Sequence, residues 1–378
     1  MFVALAGYLI AYRINQSAVV GIILAGIIVG PSVFGLVTYT DFVQTLAHLG
    51  AVVLLFTIGL EFNIKDIIKV NYLVIALFGV IIPALGGYFL ANVFGYDFKA
   101  AICIGTALTA TSIAITANVL REMGKLQTNA AKAIIGAAVI DDILALLALS
   151  VSEGIVTGEL SITPLLIIIV KAILFIVLGV IIGKLLLGRL ISSLDKTKIA
   201  GKYPESIFIF AIMVAFLYAM AADYVGLSAI VGSFLAGASF AGVKLTRGQI
   251  FKEGAEHLQI IFASIFFVSL GVIMDLHVIT LNVLWFVLAL SIVAMLTKII
   301  GCGIPAIFQR MGLRDSLTVG MGMVPRGEVA MIVALIGLGQ NLINQSTYSA
   351  IILMSLITTI IPPLILRNWI YRMKNRIS

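Results

Sequence analysis

Residues 133 to 151 read AIIGAAVIDDILALLALSV, an apolar stretch whose only charged residues are the adjacent Asp141 and Asp142. A helix rises about 1.5 Å per residue, so a stretch of this length is typical of a membrane-spanning helix. Asp142 lies at its centre. One carboxylate at mid-helix costs about 2.5 to 3.5 kcal/mol on insertion scales, so two in succession indicate a role other than packing. The pair is therefore a candidate ion or proton site.

The composition of the whole chain is that of a membrane protein. Of 378 residues, 62% are hydrophobic and only 11% are charged, whereas about a quarter of the residues in a soluble domain are charged. The net charge of +7 is explained by basic cytoplasmic loops that face anionic lipid headgroups. It therefore requires no nucleic-acid partner.

Thirteen apolar segments follow one another, and we interpret each as a transmembrane helix. The sequence lacks the alternation of polar and apolar residues that transmembrane strands require. The predicted fold class is an all-α polytopic membrane protein. The segments are approximately 2–12, 18–30, 44–60, 71–94, 99–120, 128–152, 162–191, 203–222, 226–241, 255–273, 280–308, 314–340 and 347–370.

The basic residues indicate how these helices are oriented, because Lys and Arg concentrate in cytoplasmic loops. The loops after odd-numbered helices, with the C-terminal tail, hold 20 of the 24 basic residues, and the loops after even-numbered helices hold only Lys99. We therefore expect the N-terminus outside and the C-terminus in the cytoplasm. The 20 residues are Arg13, Lys65, Lys69, Arg121, Lys125, Lys132, Lys184, Arg189, Lys196, Lys198, Lys202, Lys244, Arg247, Lys252, Arg310, Arg314, Arg367, Arg372, Lys374 and Arg376.

The membrane interior is predicted to hold more acids than these helices can balance. The interior of the predicted spans contains three acidic residues, Asp141, Asp142 and Glu328, and two basic residues that could balance them, Lys298 and Arg326. The remaining carboxylate is the group expected to bind a cation or a proton. Neighbouring residues on a helix point about 100° apart, so one aspartate can face water while the other faces a helix.

Two short sequences recur about 211 residues apart. VGIILAG at 20–26 is followed by VGSFLAG at 231–237, and LFTIGLE at 55–61 is echoed by FFVSLGV at 266–272. Both matches relate helices that are seven apart, and an odd shift reverses their orientation. Helices 1 to 6 and 8 to 13 are therefore predicted to form inverted-topology repeats, with helix 7 as the linker. Chance similarity among glycine-rich helices is the alternative.

Corresponding helices of the two predicted repeats contain predicted interruptions. Helix 5 carries Thr-Ala-Thr-Ser at 109–112, and helix 12 carries Val-Pro-Arg-Gly-Glu at 324–328. Pro325 lacks an amide hydrogen, and Gly327 favours non-helical backbone. We expect Arg326 and Glu328 to neutralise the dipoles of the half-helices rather than to contact an ion.

Four segments carry a resemblance to a known family: GTALTATSIAITANVL at 105–120, GAAVIDDILAL at 136–146, LLFTIGLE at 54–61 and GMGMVPRGEVAMIVA at 320–334. Together they resemble sodium/proton antiporters of the NapA and NhaA type, in the second cation:proton antiporter family. The resemblance covers nearly the whole chain. It implies a homodimeric carrier in a prokaryotic inner membrane, with a rigid dimerisation domain and a mobile core that contains two crossing, partly unwound helices.

The resemblance also implies roles for individual residues. Asp142 matches the aspartate that holds Na⁺ or the proton, and Asp141 matches its neighbour, which pairs with a lysine that corresponds to Lys298. Thr111 and Ser112 match the unwound crossing and are expected, with Asp141 and Asp142, to bind the ion or the proton. The Asp-Asp pair resembles the electrogenic branch, although potassium-linked relatives share the motif LFTIGLE.

The expected organisation is a single transporter unit over residues 1–378. The core domain is predicted at about 71–152 and 280–370, the dimerisation domain at about 1–60 and 203–273, and the linker helix at 162–191. The partners expected are membrane lipid and a second copy of the chain. We expect no cofactor besides transported Na⁺ and H⁺, no enzymatic activity and no attached cytosolic regulatory domain.

The sequence leaves other functions open. A K⁺/H⁺ antiporter is one alternative, because potassium-linked relatives share the motif LFTIGLE. A cation channel would require a continuous polar pore in place of isolated polar sites. An intramembrane aspartyl protease would need two acids that converge on one water molecule, whereas adjacent residues of one helix diverge. A sensor that does not transport is a further alternative.

Overall fold

The computed structural model describes residues 1–67, 69–158, 162–243, 245–246, 248–274, 276–278 and 281–371, and over these residues it contains helices and no β-strand. The helices of the first half are α1 (Phe2–Arg13), α2 (Ala18–Val29), α3 (Asp41–Gly59), α4 (Ile64–Ile67), α5 (Val70–Val93), α6 (Phe98–Ala107), α7 (Ile113–Glu122), α8 (Asn129–Thr157) and α9 (Ile162–Ile182). Those of the second half are α10 (Gly188–Asp195), α11 (Lys198–Lys202), α12 (Glu205–Tyr224), α13 (Ala229–Phe240), α14 (Gly248–Val272), α15 (Leu281–Phe308), α16 (Leu313–Gly322), α17 (Glu328–Gly339) and α18 (Gln345–Ile365). Two π-helical turns, Gly183–Leu187 and Leu366–Ile370, extend α9 and α18.

Side chains that cap the first turn fix where several helices begin. The Thr128 hydroxyl accepts a hydrogen bond from the Ala131 amide at the start of α8. Asn344 accepts one from the Thr347 amide at the start of α18, and Asp97 accepts one from Ala100 at the start of α6. Each cap satisfies an amide that has no partner within its own helix. The helix starts are therefore encoded locally.

The observed helices coincide with the predicted apolar segments, and two segments are divided. Segment 99–120 consists of α6 and α7, and segment 314–340 consists of α16 and α17. Eight helices in the described part of the chain are long and apolar enough to cross a membrane, and several shorter apolar helices accompany them. The all-helical membrane fold is confirmed, and the number of thirteen spans stays a prediction.

The helices pack in two groups. The first group, α1, α2, α3, α12, α13 and α14, is held together by contacts of α1 with α2, of α3 with α13 and α14, and of α12 with α13. The second group surrounds α5 and α15, which pack along each other, and also contains α6, α7, α8, α16, α17 and α18. Helix α9 contacts both groups, through α8 on one side and through α12 and α13 on the other.

Glycines allow the helices of the first group to approach closely. A Cβ atom at Gly271 of α14 would lie 2.2 Å from the Ile23 carbonyl oxygen of α2, and one at Gly26 would lie 2.3 Å from the Val268 carbonyl oxygen. No side chain fits at these distances. The two helices therefore touch backbone to backbone, the kind of contact that small residues permit in membranes.

We expect Gly271→Ala to lower the thermal stability of the protein in detergent, because the new methyl group would overlap the α2 backbone. Overpacking of this kind costs about 1 to 3 kcal/mol. The matched control is Gly339→Ala at the end of α17, where a Cβ would meet no atom within 4 Å. Thermal unfolding followed by circular dichroism measures both variants. Equal midpoints for Gly271→Ala and the unaltered protein would contradict the expectation.

Candidate ion-binding site

Both aspartates of the apolar stretch lie inside the protein. They belong to α8, where Asp141 is 1% and Asp142 is 9% exposed. Because neighbouring helical residues diverge by about 100°, the two carboxylates face different surroundings. The small difference in exposure has the direction expected if Asp142 is the aspartate nearer to water.

A fully buried ion pair joins Asp141 to Lys298 of α15. The Lys298 Nζ atom lies 2.9 Å from the Asp141 Oδ1 atom, and it also donates to the carbonyl oxygens of Gly79 and Thr109, each at 2.7 Å. These three acceptors match the three protons of an ammonium group. The structure thus places Lys298 where the sequence comparison expected the partner of Asp141.

The second oxygen of Asp141 is less well satisfied. Its Oδ2 atom is buried and accepts no hydrogen bond from the described residues. A buried carboxylate oxygen without a donor retains the desolvation cost of its charge. The arrangement therefore leaves one acceptor of Asp141 unused among the described residues.

The interruptions of the two divided helices meet each other. Residues 108–112 separate α6 from α7, and residues 323–327 separate α16 from α17. The Ser112 amide donates to the Pro325 carbonyl oxygen at 2.8 Å, and the Thr111 hydroxyl donates to the Met323 carbonyl oxygen at 3.3 Å. Backbone that cannot bond within a helix is in this way satisfied by the opposite break, as membrane burial requires.

Gly327 is necessary for this contact. A Cβ atom at Gly327 would lie 2.9 Å from both the Cβ and the Oγ atom of Ser112. The sequence prediction that Thr111 and Ser112 belong to an unwound crossing agrees with these contacts. The Thr111 hydroxyl and the Ser112 amide thus join the two breaks.

Arg326 neutralises backbone carbonyls at the same place. Its guanidinium group is buried, at 1% exposure, and donates to the carbonyl oxygens of Thr109 and Ala110, which follow the C-terminal end of α6. It also reaches the Ala294 carbonyl oxygen of α15 at 3.4 Å. A cation at the negative end of a helix dipole is stabilising, so this geometry fits the predicted neutralising role.

Glu328 is the first residue of α17, where a carboxylate would favour the positive end of the half-helix. Its side chain lies outside the described residues, so its predicted role stays a prediction.

Sequence reasoning missed the backbone acceptors of this site. The carbonyl groups of Gly79 and Thr109 bind Lys298, and Thr109 also binds Arg326. A Cβ at Gly79 would lie 2.6 Å from Cys302 Sγ and 3.7 Å from Lys298 Nζ. The signal for Gly79 was a glycine within a membrane helix, which is too common to identify a ligand, and the predicted interruption at 109–112 marked Thr109 without indicating which cations its carbonyl group binds.

The described residues contain no group of three or more His, Cys, Asp or Glu side chains that could hold a metal ion together. What they offer instead is carboxylate, hydroxyl and carbonyl oxygen. Oxygen donors suit hard cations.

Comparison with known proteins places this geometry in context. Residues 1–370 match the model of a family described as the transmembrane sodium/hydrogen exchanger. The chain is 32% identical over 366 residues to the Na⁺/H⁺-K⁺ antiporter GerN of Bacillus cereus, covering 96% of this chain and 92% of GerN. It is 32% identical over 362 residues to an Na⁺/H⁺ antiporter of Enterococcus hirae, covering 95% and 93% of the two chains.

A solved structure has a similar fold. The sodium proton antiporter MjNhaP1 of Methanocaldococcus jannaschii superposes with a TM-score of 0.71 at 18% identity, covering 97% of this chain and 94% of that one. At this identity the likeness concerns the fold alone.

We expect Lys298→Met to lower the unfolding temperature strongly, because it leaves the buried Asp141 carboxylate without its cation. Breaking a buried pair costs about 3 to 5 kcal/mol. Lys132→Met is the matched control, since Lys132 lies the same 2.9 Å from Asp66 but at the surface, where a pair contributes about 0 to 1 kcal/mol. The hydrogen bond from Lys132 to Asp66 lowers the pKa of the Asp66 carboxyl group. Thermal unfolding in detergent compares the variants, and similar losses for both would refute the expectation.

Proposed function

This chain belongs to the transmembrane sodium/hydrogen exchanger family, and on that basis we propose that it is a secondary antiporter that exchanges Na⁺ or Li⁺ for H⁺ by alternating access. The observation that carries the proposal is the pair of buried aspartates in α8, one of them fixed by a lysine. Broken helices, which line the ion sites of many transporters, supply the neighbouring carbonyl groups. The protein is a transporter and not an enzyme.

Asp142 is the residue at which we propose that the ions compete. A hard monovalent cation requires an ionised carboxylate, and a proton removes that ionisation, so Na⁺ and H⁺ exclude each other at one side chain. Thr111 and Ser112 would complete the site, because they belong to the break that contacts the second half-helix pair. When one exclusive site opens alternately to the two sides, exchange results.

The Asp141–Lys298 pair supports an electrogenic cycle. If cation binding loosens the pair, the buried ammonium loses its stabilising carboxylate and can release a proton. Two protons would then exchange for one Na⁺. The three acceptors around Lys298 are arranged for the charged form, so this cycle requires their rearrangement.

We propose that the two helix groups correspond to the parts that move relative to each other. The group around α5 and α15 contains both breaks and both aspartates and would be the mobile core, at about 71–152 and 280–370. The group of α1 to α3 and α12 to α14 would be the dimerisation domain, at about 1–60 and 203–273, and α9 would be the linker. The contacts within each group are more extensive than those between the groups.

The equivalent breaks, seven predicted spans apart, support inverted repeats. The distribution of basic residues supports an N-terminus outside and a C-terminus in the cytoplasm. The membrane that we propose, in keeping with the resemblance, is a prokaryotic inner membrane. A homodimer is the assembly that we propose, in keeping with the resemblance of the sequence.

K⁺/H⁺ exchange is the second candidate function. The observation that favours it is the name of the similar Bacillus cereus protein, an Na⁺/H⁺-K⁺ antiporter. Oxygen ligands by themselves accept either alkali cation, so the cation that collapses a proton gradient distinguishes the two.

In proteoliposomes with an imposed pH gradient, added Na⁺ or Li⁺ should collapse the gradient, and K⁺ should do so only if the second candidate is correct. Asp142→Asn should abolish the response while leaving a folded protein, because the amide cannot alternate between proton and cation. Asp66→Asn, at a surface pair, is the control and should remain active. Exchange that persists in Asp142→Asn would refute the proposed site.

Exchange should also generate a membrane potential, because two protons are proposed to move against one Na⁺. A potential-sensitive dye in the same liposomes, without added ionophore, reports its sign and size. Lys298→Gln, which cannot release a proton, should give smaller potentials for each Na⁺ transported. Electroneutral exchange by the unaltered protein would overturn the electrogenic proposal and leave antiport intact.

A further inference from the structure

The two helix groups meet at a hollow seam at one end of the molecule. A cavity of 580 Å³ lies between the α1–α2 turn and the end of α18, and a second cavity of 360 Å³ lies between α14 and α7. Glu122, the last residue of α7, lines both cavities. The distribution of basic residues assigns this end to the cytoplasm. Buried apolar residues of α2 and α7 belong to one hydrophobic core, and polar contacts join the two groups beside these cavities.

Glu122 makes the contact that crosses between the cavities. Its Oε2 atom accepts hydrogen bonds from the Ser17 hydroxyl at 2.6 Å and from the Ala18 amide at 3.1 Å. Ser17 is the N-cap of α2, and its own hydroxyl does not cap that helix. The Oε1 atom accepts from Asn118, one turn earlier on α7, at 3.1 Å. A carboxylate of the second group thus caps a helix of the first group.

The position of Glu122 is unfavourable within its own helix. A negative charge at the C-terminal end of α7 is repelled by the dipole of that helix, whereas the same charge at the N-terminal end of α2 is attracted. Charge-assisted hydrogen bonds add to this attraction. The local electrostatics of Glu122 therefore favour the arrangement in which α7 lies against α2.

Two further contacts at the same seam also join α7 to the first helix group. The Arg121 Nε atom lies 3.1 Å from the Glu61 Oε1 atom at the end of α3. Gln259 of α14 donates to the Asn118 side chain at 3.4 Å. Both contacts link α7 to the first group, and α7 follows directly on the break at Thr111 and Ser112.

We propose that Glu122 is a positioning residue for exchange, which holds the cytoplasmic ends of the two groups together and so favours the state in which the cytoplasmic side is closed. The inference rests on the proposed function, because it requires that the groups move relative to each other during transport. It assigns Glu122 no contact with the transported ion.

The test compares the apparent KM for Na⁺ supplied at the cytoplasmic face of the membrane with that for Na⁺ supplied at the external face. Everted membrane vesicles present the cytoplasmic face to the medium, and right-side-out vesicles present the external face. The apparent KM at each face depends on the fraction of protein that is open to that face. Glu122→Ala should lower the ratio of the cytoplasmic KM to the external KM by about two- to tenfold. Glu122→Gln, which keeps an acceptor and loses the charge, should have a smaller effect.

Ser17→Ala removes the hydroxyl of the first group that donates to Glu122, and it should shift the KM ratio in the same direction. Combined with Glu122→Ala it should add little, because both changes break one contact. The matched control is Asp97→Asn, which removes a carboxylate that caps α6 from within the second group. It should leave the ratio unchanged.

An unchanged ratio in both Glu122→Ala and Ser17→Ala would overturn the inference. If Glu122→Ala does not elute as a folded protein in size-exclusion chromatography, Ser17→Ala decides alone. Failure of the proposed function is distinguishable, because it would appear as absent exchange in the unaltered protein or as exchange that survives Asp142→Asn.

Discussion

The buried ammonium group of Lys298 is the constraint on which the rest of this structure depends. It is fully buried, and three helical segments each supply one oxygen: Gly79 in α5, Thr109 after α6 and Asp141 in α8. A charge at this depth is tolerated only when it is paired and hydrogen-bonded. The second helix group is therefore organised around a cation that it must satisfy.

The same requirement explains why α6 ends where it does. A continuous helix would use the Thr109 and Ala110 carbonyl groups for its own hydrogen bonds. The break releases them, and Lys298 and Arg326 bind them. The second break, around Pro325, satisfies the Ser112 amide. Each interruption alone would leave backbone groups without hydrogen-bond partners. Together the two breaks satisfy each other's backbone, and the first break also supplies acceptors to Lys298 and Arg326.

The packing within the first helix group differs from the packing between the two groups. Within the first group, Gly26 and Gly271 bring backbones into direct contact, which favours a rigid unit. Between the groups, two cavities and several polar contacts accompany the apolar packing at the end that holds Glu122. Contacts of this kind are weaker and more easily exchanged than apolar packing. On the proposed function, this is the seam at which the two groups would separate during transport.

The sequence by itself determined the membrane fold, most helix bounds to within about five residues, the two breaks and the aspartate pair, because each produces a local signal in hydropathy, proline and glycine placement or charge. It also pointed to Lys298 and Arg326, since interior charges are rare enough to be counted. Only the tertiary structure decided which carbonyl groups satisfy these cations, and that Glu122 of α7 caps α2. Most of those contacts join residues more than one hundred positions apart, and no local pattern encodes a partner that only folding brings near.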